Sequence, residues 1–431
     1  MSIGILAIVA VLILSFLRVP LGFSLLTVSL VGIALIMDTE VALSLLPMTI
    51  SEAVLSYELA VVPMFILMGN VISRTGISRD LFTSANAFFG HIRGGLSLST
   101  MVACAGFSAV CGSSYATAAT MSKVAYPSMR SYGYSEGLAT ATIAAGGTLG
   151  ILIPPSIILV IYGILTQSNI GDLFIAGVVP GLLGLVMYMG CIYLISVLNP
   201  ATAPQGERMD WKIRLSSLKG VWSFLFIFAL IIGGLYLKWF SPTEAAGIGA
   251  GIALLVAALS GKLSLKTLRE VLLETAYTSV ALYSVLFGAL LFSKLISYSG
   301  LADGILETVQ AAGVEGVGLI IMILLVFLLL GCVMDSLAII LIFVPLFSPL
   351  IMAQGFDLVW FGIVVVVATE IALITPPIGM NVFVLRAALP DVPVATVFKG
   401  LLPFIMTDVL RLALLITFPG IALWLVALSG G

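Results

Sequence analysis

The sequence predicts an all-α polytopic membrane protein built from two inverted repeats, each with five spans and a re-entrant hairpin. Three observations carry this. Hydrophobic residues make up 61% of the 431 positions and charged residues 9%. Soluble domains carry about 25% charge, so a soluble enzyme is excluded, and the length fits about ten spans of roughly 20 residues each. A shift of 222 residues aligns Pro20 with Pro242, Pro127 with Pro349, Gly133 with Gly355 and Pro154-Pro155 with Pro376-Pro377. Four proline pairs on one shift mark an internal duplication. Finally, placing the polar joint 199–220 in the cytoplasm puts 15 of the 18 basic residues on that side, as the positive-inside rule requires. Five crossings per repeat is odd, so the halves are inverted relative to each other.

In chain order, the first repeat (1–215) reads as spans 2–17, 19–37 and 59–73, a hairpin at 96–128, a broken helix at 135–168 and a span at 173–198. The second repeat (216–431) gives 217–237, 242–260, 274–297, a hairpin at 318–352, a broken helix at 357–389 and a span at 400–428. The N-terminal run "MSIGILAIVAVLILSFLRVP" has no basic region before its apolar stretch and no small-residue cleavage pattern, so it reads as a retained span. "ISRDLFTSANAFFGHIRG" and "ISYSGLADGILETVQAAG" mix polar and apolar residues as interfacial helices do. The four cysteines stand at unrelated spacings in apolar segments, which indicates neither a disulfide framework nor a metal site.

The hairpins are where polar residues enter apolar sequence. "GCVMDS" from Gly331 to Ser336 lies between "LIIMILLVFLLL" and "LAIILIFVPLFSPLI". Each arm is about a dozen residues, too short to span, so a hairpin with Asp335 near its tip is expected. The plainer reading is one kinked helix with Asp335 satisfied by a neighbour. A carboxylate at that depth costs roughly 2.5 to 3.5 kcal/mol, which marks a functional residue. The same shift places Ser113 on Asp335 and Ser114 on Ser336, within "CGSSYATAA".

Inverted repeats with interrupted helices at matching positions point to a transporter site near the midplane. In "TLGILIPPS" and "TEIALITPPIGMN" a Pro-Pro pair interrupts an apolar span. Proline removes an amide donor and disfavours helix in the preceding residue, freeing carbonyls around residues 150–154 and 374–376. Simple kinking is the plainer reading; matched breaks beside matched polar tips argue against it. Carbonyls and hydroxyls suit a small hard cation such as sodium. Two sodium sets follow, one from Gly112, Ser113, Ser114, Thr148, Gly150 and Pro154, the other from Asp335, Ser336, Thr375, Pro376 and Gly379. Glu370 stands at the place of Thr148, either as a protonation- or cation-linked group or as a buried carboxyl satisfied by backbone donors. Asp408 and Arg411 read as an internal ion pair, and His91 as chemically silent. No nucleophile–base–acid set or phosphate-cradling loop sits in a plausible pocket, which leaves an intramembrane enzyme as a remote alternative.

"CGSSYATAA", "GILIPPS", "GCVMDSLAIILIFVPLFSPL" and "EIALITPPIGMNVFV" together resemble the large membrane subunit of tripartite ATP-independent periplasmic (TRAP) transporters, end to end. The resemblance implies an elevator-type fold of the ion-transporter superfamily, with a transport domain of hairpins and broken helices moving against a scaffold. It implies Ser114, Ser156 and Asp335 as substrate contacts and sodium ions as the coupling ions, with no other cofactor. It also implies a bacterial inner-membrane location, a small four-helix membrane subunit, and a periplasmic binding protein delivering an organic anion such as a C4-dicarboxylate or a sialic acid. The small subunit is sometimes fused ahead of the large one; here the chain opens on a span, so a separate partner is expected. A self-sufficient sodium–dicarboxylate symporter is the alternative.

Overall fold

The computed structural model describes residues 1–430, and among them all regular structure is helical. The first half forms α1 (Ser2–Phe16), α2 (Leu21–Ile36), α3 (Thr39–Leu55), α4 (Val61–Arg74), α5 (Ile77–Phe89), α6 (Gly95–Cys111), α7 (Ser114–Val124), α8 (Tyr126–Ser131), α9 (Glu136–Thr148), α10 (Ile157–Thr166) and α11 (Ile170–Leu198). The second forms α12 (Trp211–Tyr236), α13 (Pro242–Leu259), α14 (Leu265–Tyr298), α15 (Leu301–Ala311), α16 (Val317–Gly331), α17 (Ser336–Ala353), α18 (Leu358–Ile374), α19 (Met380–Ala388), α20 (Val394–Thr417) and α21 (Gly420–Leu428). Seven helices are long and apolar enough to cross a membrane: Tyr57–Arg74, which adds a 3-10 turn to α4, and α11, α12, α13, α14, α17 and α20. This is a multi-pass membrane protein. All-helical structure follows from the solvent, since hydrocarbon offers no partner to an unpaired backbone group.

The helix starts are set by short polar side chains. Ser113, Ser156 and Asp335 accept the amides of Ala116 (3.3 Å), Leu159 (3.2 Å) and Leu337 (3.2 Å) at the heads of α7, α10 and α17, satisfying donors that a helix leaves unpaired. The heads of α6 and α16, α7 and α17, and α9 and α18 stand 222 residues apart. Where the first half has α3, an extended Ser56 and α4, the second has one unbroken helix of 34 residues, α14.

α14 lies along α2 and α4, while α13 packs on α4 and α12 on α5 and α13. Inside, α9 packs against α6, α7 and α20, α7 against α19, and α18 against α16 and α20. Residues 138–148 of α9 and 360–374 of α18 are buried without exception. They are the innermost helices, mostly apolar around their whole circumference as burial on all sides demands, with Glu370 and a few threonines the enclosed exceptions. α17 is long enough to span, yet 78% of its residues are buried inside the protein.

Three sequence expectations change. The second arm of the second hairpin, expected to be about a dozen residues and too short to span, is the 18-residue α17, because Pro345 and Pro349 do not end the helix. Residues 39–55, left between the expected spans 19–37 and 59–73, fold as α3, begun by the Asp38 carboxylate accepting the Val41 amide at 2.7 Å. The expected single span 400–428 is two helices. Pro419 has no amide to donate and drives Phe418 out of the helical region (φ −126°, ψ 75°), so α20 stops and α21 restarts.

Candidate functional site

The two hairpin tips meet. Residues 112–115 of the first and 335–337 of the second line one cavity of about 170 Å³, closed by Ile151, Ile157 and Ile158 and by Thr278 and Leu282 of α14. Gly112 ends α6 at φ +62°, a conformation that favours glycine, and a Cβ there would lie 3.6 Å from the Pro155 carbonyl. The first tip therefore abuts the first break. Asp335 also borders an apolar cavity of about 380 Å³ between the second tip, α1 and α14.

Asp335 is half-buried and has no basic partner among the described residues. One carboxylate oxygen accepts the Leu337 amide at 3.2 Å, and the other accepts the hydroxyl of Tyr115 from the first tip. Ser114 is buried and donates to Asn381 Oδ1 at 2.7 Å. Ser156 is fully buried; its hydroxyl donates to the Ile151 carbonyl at 2.5 Å and caps α10. It does not line the cavity between the tips, so the structure sets Ser114 and Asp335 together and leaves Ser156 behind them.

Around the breaks, Thr148 donates to Ala145 O (2.7 Å) and Thr375 to Ile371 O (2.6 Å). Ile151 O, inside the stretch expected to offer free carbonyls, is taken by Ser156. Among the described residues no hydrogen bond reaches the carbonyls of Leu152 and Pro154, or those of Thr375 and Pro376. Both Pro-Pro bonds are cis. Gly379 turns at φ +60°, and a Cβ there would sit 3.2 Å from the Thr375 carbonyl, so the second break curls back on itself.

Two residues that the motif reading passed over stand at this junction. Tyr115 stands within "CGSSYATAA" and Asn381 closes "TEIALITPPIGMN". Each is a polar side chain at a polar tip or break, and that is the signal by which they were findable. Partnership across 220 and 267 residues of sequence was not.

With this geometry in place, comparison with known proteins decides the family. The family model described as "Tripartite ATP-independent periplasmic transporter, DctM component" matches residues 8–421. The chain belongs to the TRAP large-permease family. Its relatives include a C4-dicarboxylate TRAP transporter large permease of Pseudomonas aeruginosa, 36% identical, with 85% of this chain and 86% of the relative covered. The ectoine TRAP transporter large permease TeaC of Halomonas elongata is 34% identical, covering 94% and 95%. The sialic acid permease SiaM of Vibrio cholerae is 32% identical, covering 96% of each. The Alcanivorax borkumensis YdaH transporter, described as having an unusual topology, shares the fold at TM-score 0.64 over 97% of this chain and 98% of that one, with 16% identity.

Behind the site, the TRAP permease buries a charged group. Arg411 on α20 donates to Glu370 on α18 and lies 2.9 Å from Asp408, while Tyr188 on α11 donates to the other Asp408 oxygen. Arg411 and Glu370 are fully buried. The Asp408–Arg411 pair thus holds as expected, but Glu370 is met by a guanidinium from another helix rather than by backbone donors, since α18 is unbroken through that position. His91 sits 3.3 Å from an Arg214 nitrogen at the joint between the halves, away from the cavity.

One packing contact ties a break to a hairpin arm. A Cβ on Gly150 would fall 2.5 Å from Ser108 Cβ on α6, and neither atom can swing away. Gly150→Ala is expected to cost about 1–3 kcal/mol through overpacking, seen as a lower melting temperature of the detergent-solubilised permease. An unchanged melting temperature would show that the break is loosely seated.

Proposed function

We propose that this TRAP permease is the membrane component of a sodium-coupled secondary transporter that imports an organic anion handed over by a periplasmic binding protein. It works in the bacterial inner membrane with a small four-helix membrane subunit. The observation that supports this reading most is the convergence of both hairpin tips on one small cavity, closed by residues that flank the first break and its unpartnered carbonyls. In this reading the halves are inverted repeats, and the hairpins with α9, α10, α18 and α19 move as a transport domain against α1, α2, α4 and α12–α14.

The chemistry follows from charge. An anionic substrate beside the Asp335 carboxylate would place two like charges in a low-dielectric layer, at several kcal/mol each unless they are compensated. Cations held by hard oxygens supply the compensation. The first set is drawn from Gly112, Ser113, Ser114, Thr148, Gly150 and Pro154, the second from Asp335, Ser336, Thr375, Pro376 and Gly379. An inward sodium gradient then drives uptake, and substrate meets Asp335 and Ser114 at the cavity. Ser156 acts through the shape of the first break. The relatives named for C4-dicarboxylate, ectoine and sialic acid set the range of small organic acids and zwitterions to be tried.

The test is uptake into proteoliposomes of permease, small subunit and binding protein under a sodium or a potassium gradient. Uptake is expected only with sodium and only with the binding protein present. Equal uptake in potassium would overturn sodium coupling, and robust uptake without the binding protein would make the chain a self-sufficient symporter.

A further inference from the structure

Asn381 is the most deeply placed amide side chain in the site, fully buried two residues after the Gly379 turn. Its Nδ2 donates to the Ala144 carbonyl on α9 at 3.0 Å, and its Oδ1 accepts the Ser114 hydroxyl at 2.7 Å. The carbonyl partner fixes which end of the amide faces Ser114, so the serine is the donor. Gly147, on the same helix as Ala144, makes room: a Cβ there would lie 3.4 Å from Nδ2 and 3.1 Å from the Ser114 carbonyl.

These contacts have a definite topology. Ser114 belongs to the first hairpin tip, and Ala144 lies one turn before Thr148 at the first break. Asn381 belongs to the second break. One side chain from the second half thus holds the first tip and the helix that leads into the first break. A Gln would overreach, and Ala would leave the Ser114 hydroxyl and the Ala144 carbonyl without this partner, each a buried polar group whose satisfaction matters in the interior.

We infer that Asn381 is a positioning residue that couples the two cation sets, so that filling one raises the affinity of the other. The inference rests on the proposed sodium reading. The route is short. Residues 375–379 are not helical, and a cation ordered by their carbonyls fixes the entry of α19. Asn381, on the first turn of α19, then holds the Ser114 tip and the α9 end in cation-binding geometry. The reverse holds equally, because coupling between two binding events is reciprocal.

The measurement is sodium titration of the purified full-length permease, in detergent and without substrate, followed by melting temperature and tryptophan fluorescence, with potassium as control. The wild type is expected to respond with a Hill coefficient above 1. Asn381→Ala is expected to respond with a coefficient of about 1 and a half-saturating sodium concentration at least about fivefold higher, the low end of typical coupling. Asn381→Leu keeps the branched shape of the side chain, removes the same two hydrogen bonds and leaves Ser114 in the cation set, and should lose cooperativity likewise; it carries the test if Asn381→Ala does not fold. A sodium-responsive wild type with both variants equally cooperative would overturn the coupling role and leave sodium binding intact. A wild type that responds no differently to sodium and potassium would overturn the sodium reading itself.

Discussion

Asp335→Asn is expected to give a folded permease whose sodium-dependent uptake falls at least about tenfold, the low end of what a lost charge-assisted contact costs. Folding should survive because Asn caps a helix as well as Asp does. The single amide oxygen of Asn can still accept the Leu337 amide, while its NH2 then faces the Tyr115 hydroxyl, which turns from donor to acceptor. What is lost is the negative charge, the only group in the second tip that holds a cation by more than dipoles. Tyr115→Phe makes the complementary change, keeping the charge and removing the hydroxyl donor, with a loss of uptake expected to stay within about tenfold. Uptake is measured per folded molecule in the three-component vesicles. Full sodium-driven activity in Asp335→Asn would remove Asp335 from the mechanism. Poor expression with normal activity of the remaining protein would reduce it to a helix cap.

Arg411→Met should be the most destabilising single change in the membrane core. It removes the one cation that faces both Glu370 and Asp408, leaving two carboxyl groups with no basic partner in fully buried positions. Breaking a buried ion pair from one side costs about 3–5 kcal/mol, because the desolvated partner stays behind. The pocket is shaped around the guanidinium: a Cβ on Gly184 of α11 would lie 2.0 Å from an Arg411 nitrogen. Thermal unfolding and yield of folded protein are the readouts. The triple variant Arg411→Met, Glu370→Gln, Asp408→Asn should recover most of the loss, since it leaves no uncompensated charge. An Arg411→Met permease as stable as the wild type would mean that the two carboxyl groups need no partner.

Much of this permease was legible before any fold was seen, and for local reasons. The hairpin tips at 112–115 and 332–335 stand out because polar residues inside an apolar run have few excuses in hydrocarbon. Likewise, the breaks at Pro154-Pro155 and Pro376-Pro377 announce themselves because proline acts on its own backbone and that of the residue before it. The helix ends were less legible. α3 was missed because its polar residues conceal a helix that lacks a full span's hydropathy, and the restart at α21 because an apolar stretch conceals a proline stop.

What the amino-acid sequence determined by itself, then, is where helices are interrupted and which residues are too polar for their surroundings. Both are properties of a residue and its chain neighbours. Only the tertiary structure decided which of those residues meet. Tyr115 finds Asp335, Asn381 finds Ser114 and Ala144, and Arg411 finds Glu370, across separations of 41 to 267 residues. Such pairings depend on how buried helices pack against one another. A hydrogen bond needs its partners within about 3 Å, a distance that packing of whole helices sets and no local pattern encodes.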